Sequence, residues 1–233
     1  MMNFSEVSAM RLQLGKPVRC TDGVELELSD VVIDPTTRRV THLVVQPHDR
    51  HDLARIVPVS LAEPAHGHSD AALELACSSA ELEKLERVQR AAYLRLGQFP
   101  VEDPDYDVGI EETYALPYYG SFAPGGIDAG LGPVAYDENA PVIWDRIPKG
   151  EVEIRRGSAV SSSDGHHLGH IEGFLVDDDQ HISDFVLEHG HLWGKREIVI
   201  PIGAVQQIES DGATLSMTKD EVEKLQSRRV HRW

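Results

Sequence analysis

The sequence predicts an all-β chain made of two small β-barrels, each followed by a short helix and joined by an irregular connector. Three observations carry this: an internal repeat, short runs in which apolar residues alternate, and turn chemistry between the runs. A missed repeat miscalls the whole fold, so the repeat comes first. Thr21-Asp22-Gly23 recurs as Ser163-Asp164-Gly165, 142 residues later. Ser29-Asp30-Val31-Val32-Ile33-Asp34 recurs as Ile171-Glu172-Gly173-Phe174-Leu175-Val176-Asp177, with one residue inserted. His42 to Val45 then matches Asp184 to Leu187, Ile56 to Val59 matches Val199 to Ile202, and Ala80 to Leu85 matches Asp220 to Leu225. Matching blocks in one order place a first domain at 10–96, a connector at 97–148 and a second domain at 149–227.

Within each copy, Asp22-Gly23 and Asp164-Gly165 are hairpin-type turn signals, because Gly tolerates positive φ and Asp bonds its own backbone. Pro35-Thr36-Thr37 and Asp178-Asp179-Gln180 mark a second turn between β-branched runs. In the second copy the pattern predicts strands over 151–155, 170–177, 182–189, 197–202, 203–208 and 213–217. Phe185/Leu187 and Ile198/Ile200/Ile202 alternate as strands with one buried face do. Short, closely spaced strands without a long helix between them argue for closed or nearly closed barrels, which leave few edges exposed. Pro58 and Pro201 belong at strand ends, since proline cannot donate to a ladder. Ser78-Ser79-Ala80-Glu81 and Thr218-Lys219-Asp220-Glu221 are capping boxes that open a helix in each copy. The first helix is expected to run through Tyr93. The connector is rich in Pro, Gly and Tyr and reads as irregular, with Tyr118, Tyr119, Phe122 or Trp144 anchoring it on a barrel.

Composition bounds the function. With 39 acidic against 22 basic residues the formal net charge is −17, a field that repels phosphate backbones and anionic lipid. Direct nucleic-acid binding is therefore not expected. No run approaches the roughly 18 apolar residues of a membrane helix, and no signal-peptide pattern opens the chain, so the expectation is a cytoplasmic protein without a transmembrane anchor. Cys20 and Cys77 are expected as two buried thiols.

Ser163-Asp164-Gly165 through Asp177, Phe185-Val186-Leu187 and Gly194-Lys195-Arg196-Glu197-Ile198-Val199-Ile200-Pro201-Ile202 resemble the PRC-barrel pattern. The first copy matches it more loosely, through its Asp-Gly turn, the Asp after the second strand and the apolar-Pro-apolar strand. That family includes the cytoplasmic domain of the photosynthetic reaction-centre H subunit and the C-terminal domain of the ribosome maturation factor RimM. The resemblance implies a bacterial-type protein whose six-stranded barrels contact other macromolecules and share no catalytic residues. Unlike the H subunit, this chain has no apolar membrane run. Unlike RimM, it carries a second PRC-like copy.

Nothing in the residues assembles a nucleophile elbow, a phosphate loop or a paired-carboxylate motif, so no enzyme activity and no catalytic residue is expected. His166, His167, His170, His181, His189 and His191 cluster in the second copy, and His189 and His191 would share one face of a strand, a spacing open to a divalent metal. No Cys-x-x-Cys or His-Glu-x-x-His accompanies them. Solvated loop histidines are the preferred reading, so no metal or cofactor is expected. A metal- or small-ligand-responsive protein, or a pH sensor, is the alternative. The preferred function is a non-catalytic protein-binding or scaffold module. Its contact residues are expected at His189, His191, Trp193, Lys195 and Arg196, with Tyr118 and Tyr119 of the connector, because Trp and Arg in a glycine-flanked loop suit an interface anchor. The partner is expected to be another protein, and homo-oligomerisation is compatible with the pattern. The first copy has His51-Asp52-Leu53-Ala54-Arg55 in place of the Trp193 loop, and is read as supporting rather than contacting.

Overall fold

The computed structural model describes residues 10–48, 50–65, 72–95, 103–113, 139–189, 196–209, 212–225 and 227–229. The first copy contains β1 (Met10–Gln13), β2 (Pro17–Arg19), β3 (Glu25–Asp34), β4 (Arg39–Gln46), β5 (Arg55–Pro58), β6 (Ala62–Pro64), β7 (Leu73–Leu75) and the one-turn helix α1 (Ser79–Leu82). The first copy ends in β8 (Gln89–Arg95), and the connector contributes β9 (Tyr106–Thr113) and β10 (Asn139–Pro148). The second copy contains β11 (Val152–Arg155), β12 (Ala159–Ser161), β13 (His167–Val176), β14 (Ile182–His189), β15 (Arg196–Pro201), β16 (Val205–Glu209), β17 (Gly212–Leu215), α2 (Lys219–Glu223) and β18 (Ser227–Arg229). Among the described residues the chain is all-β apart from two short helices and three 3-10 turns, and no helix there is long and apolar enough to cross a membrane.

The two copies form sheets of the same order. The first runs β5-β4-β3-β2-β7-β6, and the second β16-β17-β12-β13-β14-β15-β18. In both, a parallel pair sits in the same place, β2 with β7 and β12 with β17. The first strand of each copy, however, leaves its own sheet. β1 pairs with β13 of the second copy, Leu12 opposite Phe174, while β11 pairs with β3 of the first, Ile154 opposite Val31. The exchange is reciprocal, and it draws both copies into one core. Leu12, Val31, Leu43 and Ile154 join Phe174, Phe185 and Ile200 in a single buried cluster, with the Phe174 and Phe185 rings edge to face at 5.0 Å.

A second contact joins the copies at their hairpin tips. Arg38 and Gln180, equivalent positions with φ of 57° and 68°, end the two turns. The Val40 N–H donates to the Gln180 carbonyl and the Ile182 N–H to the Arg38 carbonyl, each at 2.9 Å, around a bridge of Arg39 with His181. Equivalent positions thus pair with each other, as on the axis of an isologous dimer.

Three expectations are corrected. The sheets are not closed: β5 and β6 end the path of the first sheet and are linked by a 3-10 turn, with no ladder between them. Pro58 and Pro64 stand in these two strands and have no N–H to offer. The connector is not wholly irregular, because β9 and β10 lie within it and form a three-stranded sheet with β8 in the order β8-β10-β9. The first helix does not reach Tyr93. α1 stops at Leu82, and Val88 is fully buried with its N–H donating to the Ala54 carbonyl at 3.2 Å, which turns the following residues into β8. Pairing with β10 there overrides helix propensity.

The motif acids are spent on turns. Asp22 accepts from both the backbone N–H (3.0 Å) and the hydroxyl (2.6 Å) of Ser79, joining the first hairpin to α1. Asp164 accepts from the Lys219 N–H at 3.2 Å in the second copy. Asp34 and Asp177 accept from the N–H groups of their own turns. Cys20 and Cys77 are free, buried thiols, and burial pushes Cys20 up to about 11, so it is a poor nucleophile.

The exchanged strand approaches β13 where that strand carries Gly173: a Cβ there would lie 2.2 Å from the Leu12 carbonyl oxygen. Gly173→Ala should therefore push β1 off the second sheet and lower stability by about 1–3 kcal/mol, the usual range for overpacking. Urea denaturation and amide exchange check this. Loss of protection should centre on Met10 to Gln13.

Candidate functional site

β3, β4 and β11 are buried on both faces. One face, with Val31, Ile33, Leu43, Val45 and Ile154, meets the shared core. The opposite face carries Val32, Val44 and Ile56, which pack with Ala54, Val88, Ile147 and Tyr106 as a second, smaller core beneath the connector strands. Strand alternation then sends Asp30, Glu153 and Arg155 to this side too, and β10 brings Asp145 to meet them. Asp30 and Asp145 are each only 1% exposed and Glu153 is fully buried.

Four charged groups converge here from three parts of the chain. Arg155 pairs with Asp145 through Nη2 and approaches Asp30 Oδ1 through Nε at 3.4 Å. Ser29 Oγ donates to Asp30 Oδ2 at 2.7 Å. His51, on the 3-10 turn His51–Leu53, places Nδ1 at 2.9 Å from Gln46 Oε1 and 3.9 Å from Asp30 Oδ2. Its Nε2 lies 2.9 Å from Asp145 Oδ2 and 2.9 Å from Arg155 Nη2. That nitrogen donates to the carboxylate when the ring is charged, and accepts from the guanidinium when it is neutral. A charged ring balances two carboxylates with two cations; a neutral ring leaves one negative charge in excess.

Burial pushes Asp30 up to about 6, against the pull of Arg155 and its bond from Ser29. Burial works against a charged His51 as well, but the hydrogen bond to Asp145 and the charges of Asp145 and Asp30 outweigh it and raise His51 above its usual value. Beside this cluster Arg146, on β10, lies 3.6 Å from Glu86 and 3.4 Å from Asp103, with its guanidinium 4.0 Å from the Tyr106 ring centroid. Gly109 of β9 leaves room for Glu153: a Cβ there would stand 2.8 Å from its Oε2.

Immediately outside the same 3-10 turn is an open cleft of about 550 Å³, lined by Asp52, Arg55, Leu85, Glu86, Arg87, Gln89 and Arg90. His51 faces inward to the charge cluster and its neighbour Asp52 faces outward to the cleft.

Of the contact residues expected from sequence, His189 and Arg196 pair as opposite backbone positions at the ends of β14 and β15. The side chains of these two, and His191, Trp193, Lys195, Tyr118 and Tyr119 altogether, lie outside the described residues. Among the described histidines, His167 and His170 rings meet at 4.9 Å, His170 Nδ1 lies 2.8 Å from the Gly157 carbonyl and His181 Nδ1 lies 3.7 Å from Asp177. No group of three or more metal-binding side chains converges among the described residues. Sequence reasoning passed over Asp30, His51, Asp145 and Arg155. Two signals were available. Asp30 opens an apolar run, and Val31-Val32-Ile33 does not alternate, which marks a strand covered on both faces.

No protein-family model matches the chain, and no curated protein matches it either.

The raised groups set a pH dependence. A group whose folded pKa lies above its unfolded value stabilises the fold below the unfolded value, and that stability is lost as pH rises through the folded one. For Asp30 the window runs from the ordinary 3.8 to about 6, and for His51 it begins at 6.5 and extends upward. Asp30→Asn, which keeps the acceptor for Ser29 but removes the titration, should flatten the loss of stability between about pH 4 and pH 6. Urea midpoints across that range check it; an unchanged slope would place the titration elsewhere.

Proposed function

We propose that the chain is a non-catalytic protein-binding or scaffold module built from two PRC-like barrels. The observation that supports it best is the reciprocal exchange of β1 and β11. Exchange and shared core hold two similar sheets in one arrangement, which suits a module that presents loops at defined positions rather than one that turns substrate over. The acids of the repeated motif, Asp22, Asp34, Asp164 and Asp177, hold turns and helix starts, so the repeat's most polar residues serve the fold. The sheet orders, β6-β7-β2-β3-β4-β5 and β16-β17-β12-β13-β14-β15, match each other, as two copies of one unit would.

In this reading the second copy makes the contact. The loop carrying Trp193 leaves from the ends of β14 and β15, where His189 faces Arg196, and the equivalent loop of the first copy is occupied with the buried cluster through His51. The partner in this reading is another protein.

Trp193→Ala, and Lys195→Ala with Arg196→Ala, should weaken capture of a specific partner by about 2 kcal/mol or more if the loop is the hot spot. Crosslinking in the native cell followed by quantitative pull-down on the full chain measures this. Variants that keep the wild-type fold by circular dichroism and capture the same partner equally well would sink the proposal.

A further inference from the structure

The cleft outside the His51–Leu53 turn holds an unusual charge arrangement for a chain of net charge −17. Its two acids already have cations. Arg50 grips Asp52 with Nε and Nη2, both at 2.8 Å, and Glu86 is approached by Arg146 at 3.6 Å and Arg90 at 4.0 Å. Arg55 spends one donor on the neutral Leu85 carbonyl at 3.2 Å. Arg87 adds only a weak pull on Asp52, which Arg50 holds below the ordinary carboxylate range. Arg55 and Arg87 are moreover partners in an antiparallel bridge. Like charges directly opposite each other across strands are destabilising.

The second copy reveals that the fold does not need them. There the same bridge is made between β15 and β18, and its residues are Ile198 and Ser227. Pro58 and Pro201 fix the first equivalence and Leu85 and Leu225 the second. Strand pairing after the helix is thus common to both copies, but at this position only the first places two guanidinium groups; the second pairs Arg196 with Arg229 two residues further along.

We propose that this cleft is a binding site for a dianionic oxyanion group, the phosphate monoester of a small soluble ligand, held between Arg55 and Arg87. Guanidinium forks match phosphate oxygens in bidentate fashion, and a charge near −2 balances the pair. The volume of about 550 Å³ suits a small molecule. The acidic field of the whole chain disfavours polyanions such as nucleic acid at this site. The site is separate from the Trp193 loop and stands whether or not that loop binds a partner.

The test is calorimetric titration of the full chain with inorganic phosphate, sulfate and acetate at constant ionic strength near neutral pH. Phosphate and sulfate should saturate one site, with acetate at least roughly tenfold weaker. Arg87→Ala should lower phosphate affinity by about tenfold or more, the loss expected for a charge-assisted hydrogen bond. Arg87 is exposed, so this variant should fold, and circular dichroism verifies it. Lys219→Ala removes a half-exposed cation, paired with Glu223, from the second copy and should leave phosphate binding unchanged. Absence of saturable phosphate binding, equal binding of all three anions, or wild-type affinity in Arg87→Ala would each overturn the site.

Discussion

Everything in this molecule depends on two short strands being in the wrong sheet. β1 and β11 have only four residues each, yet each brings a fully buried side chain, Leu12 or Ile154, to a core begun by the other copy. Small domains bury too little of their surface to be comfortably stable alone. Exchange addresses that limit without lengthening any strand, since each sheet gains an apolar partner and the two cores become one. The hairpin tips meeting at Arg39 and His181 then set the relative placement of the copies from a second direction.

The connector sheet has a different role on each side of its boundary. Its apolar residues cover the outer face of the first sheet, and Asp145 completes a group of charges that would be costly if any member were missing. Removing one partner from a buried ion cluster leaves the others uncompensated, whereas the intact set can be close to neutral in net stability. Such a cluster specifies geometry more than it adds stability. Asp30 belongs to the first copy, Arg155 to the exchanged strand and Asp145 to the connector, so the charges balance only when all three segments are docked.

Much of the fold was legible because it rests on local chemistry. The strand at 182–189 matches the sequence-based expectation, the other five expected in the second copy differ by a few residues at their ends, β12 and β18 were not expected, and Asp-Gly turns and capping boxes lie where their spacing put them. What was not legible involved partners distant in sequence. Nothing in Met10 to Gln13 says which sheet it joins, because a four-residue apolar strand fits either. β8 resembles a helix continuing from α1 until β10 is present to pair with it. Asp30, His51, Asp145 and Arg155 are unremarkable one by one, and their proximity is a product of tertiary docking. The arginines at 55 and 87 could have been marked only by aligning the copies through the helix and noticing Ile198 and Ser227 opposite them.

The exchange also has a consequence for synthesis. Multidomain chains commonly fold from the N-terminus as they emerge. Here the first sheet lacks its β11 neighbour until the connector has been made and the second copy has begun, while β1 must wait unpaired for β13. The two halves therefore mature together, once β13 has been made, and until β11 arrives β3 waits with one edge of its apolar run unpaired. Its Asp30 and the acidic residues Glu25, Glu27 and Asp34 would keep that waiting strand soluble, in the manner of gatekeeper charges beside an unavoidable apolar run.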